Sequence, residues 1–215
     1  MSDGFHDDML CGASEPYPTT RFDDRTSAHV ASTPLDWYRF ATWLPRLGAV
    51  LWLHRAGDGV FPHARLLSRG VLLLDHPALA AFSGSAQVKA HSVVTARGPR
   101  EWLELIDVES CCLARLYLLP DSDYLAWDAM LADCAITHAG ASAATRWRAH
   151  AAFLHCALRG RRQCWQARTV RFPLLHLPRL HVLGLCAPLA LSDLGQQLAQ
   201  RIAEDERAEL HFACP

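Results

Sequence analysis

The sequence has little lysine and no excess of charge of one sign. Only Lys89 among its 21 basic residues is a lysine, and 22 acidic residues bring the formal net charge to −1. A protein that binds DNA through its phosphates normally carries a basic stripe, so this balance predicts no nucleic-acid partner. Arginine is the default anion contact in this chain, and its guanidinium suits bidentate binding of a carboxylate.

Export signals and long apolar runs are also missing. The N-terminal segment MSDGFHDDML is acidic and has no apolar core, so we expect no secretory signal and a cytoplasmic location. No run of about 18 apolar residues occurs, which predicts no membrane insertion. The eight cysteines are scattered without a C-x-x-C pair, so we expect reduced thiols and no structural zinc site.

Several signatures of enzymes are absent from the sequence. It contains no H-E-x-x-H, no G-x-S-x-G elbow and no glycine-rich phosphate-binding loop. These absences disfavour metallohydrolases, serine hydrolases and enzymes that use a phosphate loop. No motif in the sequence requires that the protein is an enzyme, and none decides whether it catalyses a reaction.

Periodic apolar patterns cover most of the chain, which has 215 residues and is 51% hydrophobic. Residues 1–33 lack such a pattern and are predicted to form a flexible N-terminal arm. Residues 34–215 are predicted to form a single α+β domain, a mostly antiparallel β-sheet of six or more strands flanked by helices. Within it, residues 35–137 form one unit, and residues 138–215 add a helix, edge strands and a C-terminal helix.

The most informative segment is WLELIDVESCCLARLYLLPDSDYLAWDAML, residues 102–131. Its alternation with a period of two predicts two strands joined by a tight turn. Pro120 has no amide hydrogen, so we expect it to end the second strand. Asp121 or Ser122 is then expected to cap a helix that starts at Asp123.

This segment resembles the end of one repeat of the bacterial cytoplasmic haem-trafficking and haem-degrading proteins of the HemS/ChuX type. Such repeats end in an aromatic-acidic strand, a turn, a strand closing in a basic-aromatic-hydrophobic triplet, and a Ser-Asp-x-x-Ala-Trp-x-x-Leu helix. The matching residues are Leu105-Ile106-Asp107, Ala114-Arg115-Leu116-Tyr117-Leu118 and Ser122-Asp123-Tyr124-Leu125-Ala126-Trp127-Asp128-Ala129-Met130-Leu131. Upstream, the segments 50–55 and 60–63 resemble the family's first and second strands.

The resemblance implies haem as cofactor and partner, with a histidine as the axial iron ligand. Two-repeat relatives place this histidine on a helix after a Trp; here Trp147 is followed by His150 and His155, and His155 lies closer to the expected offset. Single-repeat relatives use a histidine at the end of the first strand, which is His54. His63 and His91, on strands expected to be neighbours of the first, are further candidates.

Cations are expected near the haem propionates, because a propionate is a carboxylate that needs a charge partner. The candidates for this role are Arg55, Arg65, Lys89 and Arg97. Single-repeat relatives form dimers in which two sheets join, so the resemblance also implies a possible homodimer.

Two positions depart from the family pattern. The segment 78–82 corresponds to a family strand with a haem-contacting Arg, and Ala80 stands in that position. Ser85 stands where single-repeat relatives have a His after Ser-Gly, and His91 is a possible substitute. We therefore keep two hypotheses. One is a haem-binding or haem-trafficking protein that assists haem utilisation or degradation. The other is a cofactor-free relative of the same fold that acts as a binding or regulatory module.

Overall fold

The structure is a computed structural model that describes residues 35–55, 64–68, 70–74, 76–95, 98–138 and 165–211. These residues belong to one compact unit, 34–215. The predicted boundaries of arm, domain and subdivisions remain predictions. His63, His150, His155 and Arg97 lie outside the described residues, and so does the side chain of Arg65.

The described elements alternate between strands and short helices. The strands are β1 (Gly48–Arg55), β2 (Ala64–Ser68), β3 (Val71–Leu74), β4 (Gln87–Thr95), β5 (Gly98–Ile106), β6 (Cys112–Ser122), β7 (Trp165–Val170), β8 (Leu174–Leu177), β9 (Leu180–Leu183) and β10 (Ala208–His211). The α-helices are α1 (Trp37–Trp43), α2 (Ala80–Gly84), α3 (Tyr124–Asp133) and α4 (Asp193–Asp205). Two short 3₁₀ helices cover Leu44–Leu47 and Pro77–Leu79.

The main sheet has six strands in the order β10-β7-β1-β6-β5-β4. All neighbours in it are antiparallel except β10 and β7, which run parallel. The predicted fold class, α+β with a mostly antiparallel sheet flanked by helices, is confirmed. Among the described helices, none has both the length and the apolar character needed to cross a bilayer.

A second sheet of four strands, in the order β2-β3-β9-β8, was not predicted as a separate sheet. Its inner side chains, Val71, Leu73 and Leu183, are buried in the same core as one face of the main sheet. Its outer strand β8 leaves Leu175 and Leu177 exposed. Of the edge strands expected in the C-terminal part, β8 is at the edge of this smaller sheet, whereas β9 lies inside it between β3 and β8.

Strand β1 is buried on both sides because each face of the main sheet has its own core. Val50 and Trp52 point into a core shared with α1, α2, α3 and the second sheet, which we call the α1 face. Leu51 and Leu53 point to the opposite side, where α4 packs, which we call the α4 face. Full burial of one such side chain stabilises the fold by about 1.5–3 kcal/mol, so β1 anchors both layers.

The predicted hairpin of residues 102–131 is present, but Pro120 does not end its second strand. Strand β6 continues to Ser122. Its pairing with β5 reaches only as far as Tyr117, and the pairing with β1 is irregular between Val50 and Gly48. Because Pro120 is exposed and lies at this irregularity, its missing amide hydrogen removes no regular ladder bond.

The helix that follows begins one residue later than predicted. Asp123 is the N-cap of α3, and its carboxylate accepts a hydrogen bond from the backbone N–H of Ala126 at 2.9 Å. Ser122 instead accepts a bond from the amide of Leu119 and donates to the carbonyl of Ala49. Asp121 accepts bonds from the amide and hydroxyl of Ser192. Ser192 is the N-cap of α4, so Asp121 connects the end of β6 to the start of α4.

Two further elements differ from what the sequence patterns indicate. The sequence from Thr145 to Ala167 has a helical period, but its last residues, from Trp165, belong to β7, which pairs with β1 and lies inside the main sheet. The segment 78–82, aligned with a family strand, is helical, because Pro77 and the imidazole of His76 start a 3₁₀ turn that runs into α2. The local helix start overrides the strand expectation here.

Candidate functional site

The sequence-predicted residues divide between the two faces of the main sheet. His54 follows Trp52 by two positions on β1, so it lies on the α1 face. Arg55 and His91 lie on the α4 face, which also holds the side chain of Lys89 by alternation along β4. Strands β1 and β4 are separated by β6 and β5, so the expectation that His54 and His91 sit on neighbouring strands is wrong.

His54 is a buried imidazole with only 3% of its surface exposed. Its Nδ1 lies 3.3 Å from the carbonyl oxygen of Arg55, a distance at which a ring N–H donates a weak hydrogen bond. Its Nε2 is also buried, and within the described part of the chain it has no hydrogen-bond partner. This combination leaves an unprotonated Nε2, whose lone pair is the donor that metals bind.

Burial lowers the pKa of His54 to about 4, because the interior disfavours the charged imidazolium. The Arg55 carbonyl opposes this effect, whereas the positive fields of Arg168, His76 and His211 add to it. His54 is therefore a neutral imidazole at pH 7.

The basic neighbours of His54 come from β7 and β10, which the sequence does not connect with β1. Arg168 on β7 is directly opposite Trp52, and His211 on β10 is directly opposite Arg168, so all three share the α1 face with His54. The Nε of Arg168 is buried, and no hydrogen-bond partner for it occurs among residues 35–55, 64–68, 70–74, 76–95, 98–138 and 165–211. The alternation of Gln166, Arg168 and Val170 is the signal in the sequence for this strand, but residues 165–167 also continue the helical period of the residues before them.

The α1 face beside His54 is filled by aromatic side chains. Trp52 and Phe82 are stacked with ring centroids 5.0 Å apart, and Phe172 meets both rings edge-on. The indole N–H of Trp52 donates to the carbonyl of Ala78 at 2.9 Å, which fixes the stack against the 3₁₀ turn. His54 lies two residues beyond Trp52 on β1, next to this stack, and Arg168 lies opposite Trp52 on the neighbouring strand.

The structure places no ligand group at either of the two positions, Ala80 and Ser85, that depart from the family pattern. Ala80 begins α2, and its carbonyl accepts a hydrogen bond from Ser83. The hydroxyl of Ser85 is engaged with the carbonyl of Ala81 at 2.5 Å. Both positions therefore serve the local helix.

A charged network covers the other face, at the C-terminal end of α4. Glu104 accepts hydrogen bonds from Arg115 at 2.9 Å and lies 3.1 Å from Nε2 of His91. Arg115 also pairs with Glu206, which accepts a hydrogen bond from the hydroxyl of Tyr117 at 2.5 Å. This Glu104–Arg115 network, as we call it, locks the end of α4 to β5 and β6.

The predicted residues His91, Lys89 and Arg55 belong to the surroundings of this network. The ring of His91 stacks on Trp102 with centroids 4.9 Å apart, and Lys89 is directly opposite Glu104 in the ladder. The guanidinium of Arg55 lies 5.3 Å from the ring centroid of Trp165. Because they face away from His54, these three residues do not form one site with it.

The ionisation of the network is strongly perturbed. Burial would raise the pKa of Glu104, but the contact with His91 and the charge of Arg115 lower it to about 2. Burial raises the pKa of the Tyr117 hydroxyl, and it raises that of the neighbouring Cys112 thiol to about 12. Glu104 is therefore a carboxylate and Cys112 a neutral thiol at any physiological pH, so Cys112 is a poor nucleophile.

The cysteines differ from the expectation that all thiols are reduced. Cys111 takes part in a disulfide bond, whereas Cys112, Cys134 and Cys186 are free. Cys111 also belongs to the one group of three potential metal ligands found within the described residues, with Asp107 and Glu109. One carboxylate oxygen of Asp107 accepts hydrogen bonds from the backbone amides of Glu109 and Cys111. The three residues are therefore close together because they form the turn between β5 and β6.

A cavity of about 390 Å³ opens beside the N-terminal end of α4. Its lining includes Thr169, Leu189, Leu191 and Gln196, and it contains none of the sequence-predicted residues. It is therefore separate from the end of the sheet where His54 lies.

Solved structures that resemble this chain include those of two haem proteins. Holo-PhuS, a heme-binding protein from Pseudomonas aeruginosa, is 20% identical with a TM-score of 0.36, over 47% of this chain and 33% of that one. ChuS, an E. coli heme oxygenase, is 22% identical with a TM-score of 0.35, over 46% and 33%. Another structure of ChuS, from Escherichia coli O157:H7, where it is called a heme degrading enzyme, is 20% identical with a TM-score of 0.35, over 61% and 48%.

The chain thus spans between a third and a half of the length of these proteins. At such TM-scores the likeness supports no argument about the function of this chain. No protein-family model matches the sequence, and no curated protein does.

Proposed function

We propose that this protein binds haem, with Nε2 of His54 as an axial ligand of the iron, and that it serves haem trafficking or utilisation. The single observation that supports the proposal most is the buried, unpartnered Nε2 of this neutral imidazole. A buried polar atom without a partner costs stability, so its presence indicates a group that is completed by a ligand. The sequence resemblance to HemS/ChuX-type repeats supplies the expectation of haem.

The residues around His54 fit the requirements of haem in two further respects. The contact of Nδ1 with the Arg55 carbonyl orients the ring, and such a second contact is typical of histidines that ligate metals. Arg168, with its unpartnered Nε on the same face, is a suitable cation for a propionate. Bound haem would supply iron for oxygen chemistry or would be passed on unchanged.

His155 and His150 remain candidates for the axial position and His63 for a supporting role, whereas His91 lies on the opposite face of the sheet from His54. A homodimer and a cytoplasmic location also remain proposals. The disulfide at Cys111 makes the location testable, because structural disulfides are rare in a reducing cytosol. Thiol mapping of the protein isolated under rapid alkylation would show whether Cys111 is oxidised in the cell, and an oxidised Cys111 would contradict the cytoplasmic proposal.

One observation favours the second candidate function, a cofactor-free binding or regulatory module. The stack of Trp52, Phe82 and Phe172 fills the middle of the α1 face with the protein's own side chains. In addition, Ala80 has no group that binds iron or a propionate, and the hydroxyl of Ser85 already donates to the carbonyl of Ala81. The two functions differ in whether the purified protein takes up haem at all.

Titration of hemin into the purified protein separates these possibilities. We expect a Soret band that saturates at one equivalent, and we expect His54→Gln to lose this band while keeping its circular dichroism spectrum. His138→Ala, which removes an exposed histidine, is the matched control and should bind like the wild type. Absence of a saturable band in the wild type would favour the cofactor-free module. Loss of the band in His155→Ala but not in His54→Gln would refute His54 as the ligand.

A further inference from the structure

The β8–β9 hairpin brings the side chains of two histidines into contact. His176 and His181 are directly opposite each other across the two strands, and their Nδ1 atoms are 3.0 Å apart. The rings are close to perpendicular, with an interplanar angle of 78° and centroids separated by 4.5 Å. His176 is exposed and His181 is half-buried, so the pair lies at the surface of the second sheet.

Helix α1 supplies a third group to this pair. The hydroxyl oxygen of Tyr38 lies 2.8 Å from Nε2 of His181, and the two rings are 5.1 Å apart. When Nε2–H donates to this oxygen, Nδ1 of His181 carries the lone pair and points it at His176. An outer hydrogen bond of this kind fixes the tautomer of histidines that ligate metals.

We propose that His176 and His181 bind one divalent transition-metal ion through their two Nδ1 atoms, with Tyr38 as the positioning residue for His181. Two nitrogens that lie about 2.05 Å from one ion in adjacent positions at a right angle are about 2.9 Å apart. The observed separation is 3.0 Å, so the two nitrogens already have the spacing of octahedral or square-planar coordination, and binding requires the rings to turn until both lone pairs meet at the ion. Imidazole is a preferred ligand of Ni²⁺, Cu²⁺ and Zn²⁺, and water would complete the coordination sphere.

The same separation also fits a hydrogen bond in which the two nitrogens share one proton. Metal binding through Nδ1 of His176 requires this proton to leave Nδ1, and Nε2 of the same ring takes up one proton in exchange with solvent. Both imidazoles then stay neutral, and no net proton is released. The site is independent of the proposed haem site, because its residues come from α1 and the second sheet, whereas His54 and Arg168 come from the main sheet.

Titration with Ni²⁺, followed by calorimetry and by ¹⁵N–¹H correlation spectra, tests the proposal on the full chain. We expect one equivalent to bind with loss of the amide signals around residues 38, 176 and 181, because bound Ni²⁺ broadens nearby resonances. His176→Gln should lose this equivalent and the local broadening, whereas the control His138→Gln should retain both. Tyr38→Phe should weaken Ni²⁺ binding by about 10-fold, as expected for an outer-shell partner.

The circular dichroism of each variant establishes that it is folded. Equal Ni²⁺ affinity in the wild type and His176→Gln would overturn the proposal, and so would broadening confined to other parts of the chain. Either outcome would leave the pair as a hydrogen bond within the hairpin. The haem titration is unaffected by these variants, so failure of one proposal is distinguishable from failure of the other.

Discussion

Replacing Glu104 with glutamine tests how strongly charge holds the C-terminal end of α4 to the main sheet. Glutamine has nearly the same shape as glutamate, and its amide oxygen can still accept a hydrogen bond from Arg115. The change therefore removes the negative charge and little else. Arg115 keeps Glu206 as a charged partner, so its guanidinium is not left without a carboxylate.

The size of the effect follows from the pKa of Glu104, which falls from the usual 4.5 to about 2 in the folded protein. One pKa unit corresponds to about 1.4 kcal/mol, so ionised Glu104 stabilises the folded state by about 3 kcal/mol relative to its neutral form. The carboxylate is 17% exposed, so screening by solvent reduces this value only modestly. Loss of one member of a buried ion pair typically costs about 3–5 kcal/mol, which is the same order.

The contribution of Glu104 to the stability of the fold also depends on pH, and it decreases as the pH falls. A carboxyl group whose folded pKa is depressed stabilises the protein fully above pH 4.5, and it loses this effect as the pH falls towards 2. We therefore expect the difference in free energy of unfolding between wild type and Glu104→Gln to be about 3 kcal/mol at pH 7 and about 1.5 kcal/mol at pH 3.

Urea unfolding followed by tryptophan fluorescence at pH 7, 5 and 3 measures these differences. Glu101→Gln, on the same strand and partly exposed, is the matched control and should change stability by less than about 0.5 kcal/mol. A cost below about 1 kcal/mol at pH 7, or a difference that does not shrink at pH 3, would refute the assignment of a strong charge interaction to Glu104.

Two further predictions concern the helix starts. Gly195→Ala should destabilise the protein by about 1–3 kcal/mol, although alanine usually favours a helix, because its methyl group would lie 2.0 Å from Oδ2 of Asp121. In an Asp121→Ala background this cost, measured by thermal unfolding, should largely disappear. An unchanged cost would contradict the clash. Asp123→Ala should lower the free energy of unfolding by about 1 kcal/mol, because it removes the N-cap of α3. Asp128→Ala, on the exposed side of the same helix, should be nearly neutral. Equal melting temperatures for the two variants would argue against the role of the cap.

The main sheet was largely predictable because its strands alternate clearly. The pattern around Leu103, Leu105 and Glu104 assigns each side chain to the face that it occupies. The pairing order was not predictable, because alternation gives the faces of a strand but not its neighbours. The expectation that His54 and His91 lie close together was wrong for this reason.

The candidate site was predictable only in part. The position of His54 at the end of an apolar strand is visible in the sequence, and its burial follows from the strand's central place in the sheet. Arg168 and His211 were missed as neighbours of His54, because the residues before β7 follow a helical period and the sequence does not show that β7 and β10 continue the sheet beyond β1. Pro120 shows a further limit: its effect depends on whether a partner strand is present opposite it, which is a tertiary property.

The central place of β1 has a consequence for the order in which the chain folds. Strand β1 ends at Arg55, but its two neighbours are complete only at Ser122 and Val170. During synthesis both edges of this apolar strand remain unpaired until β6 and β7 have been made. Contacts between residues so distant in sequence also form slowly. We therefore expect slow folding, and association between nascent chains through β1 whenever synthesis stops before residue 170.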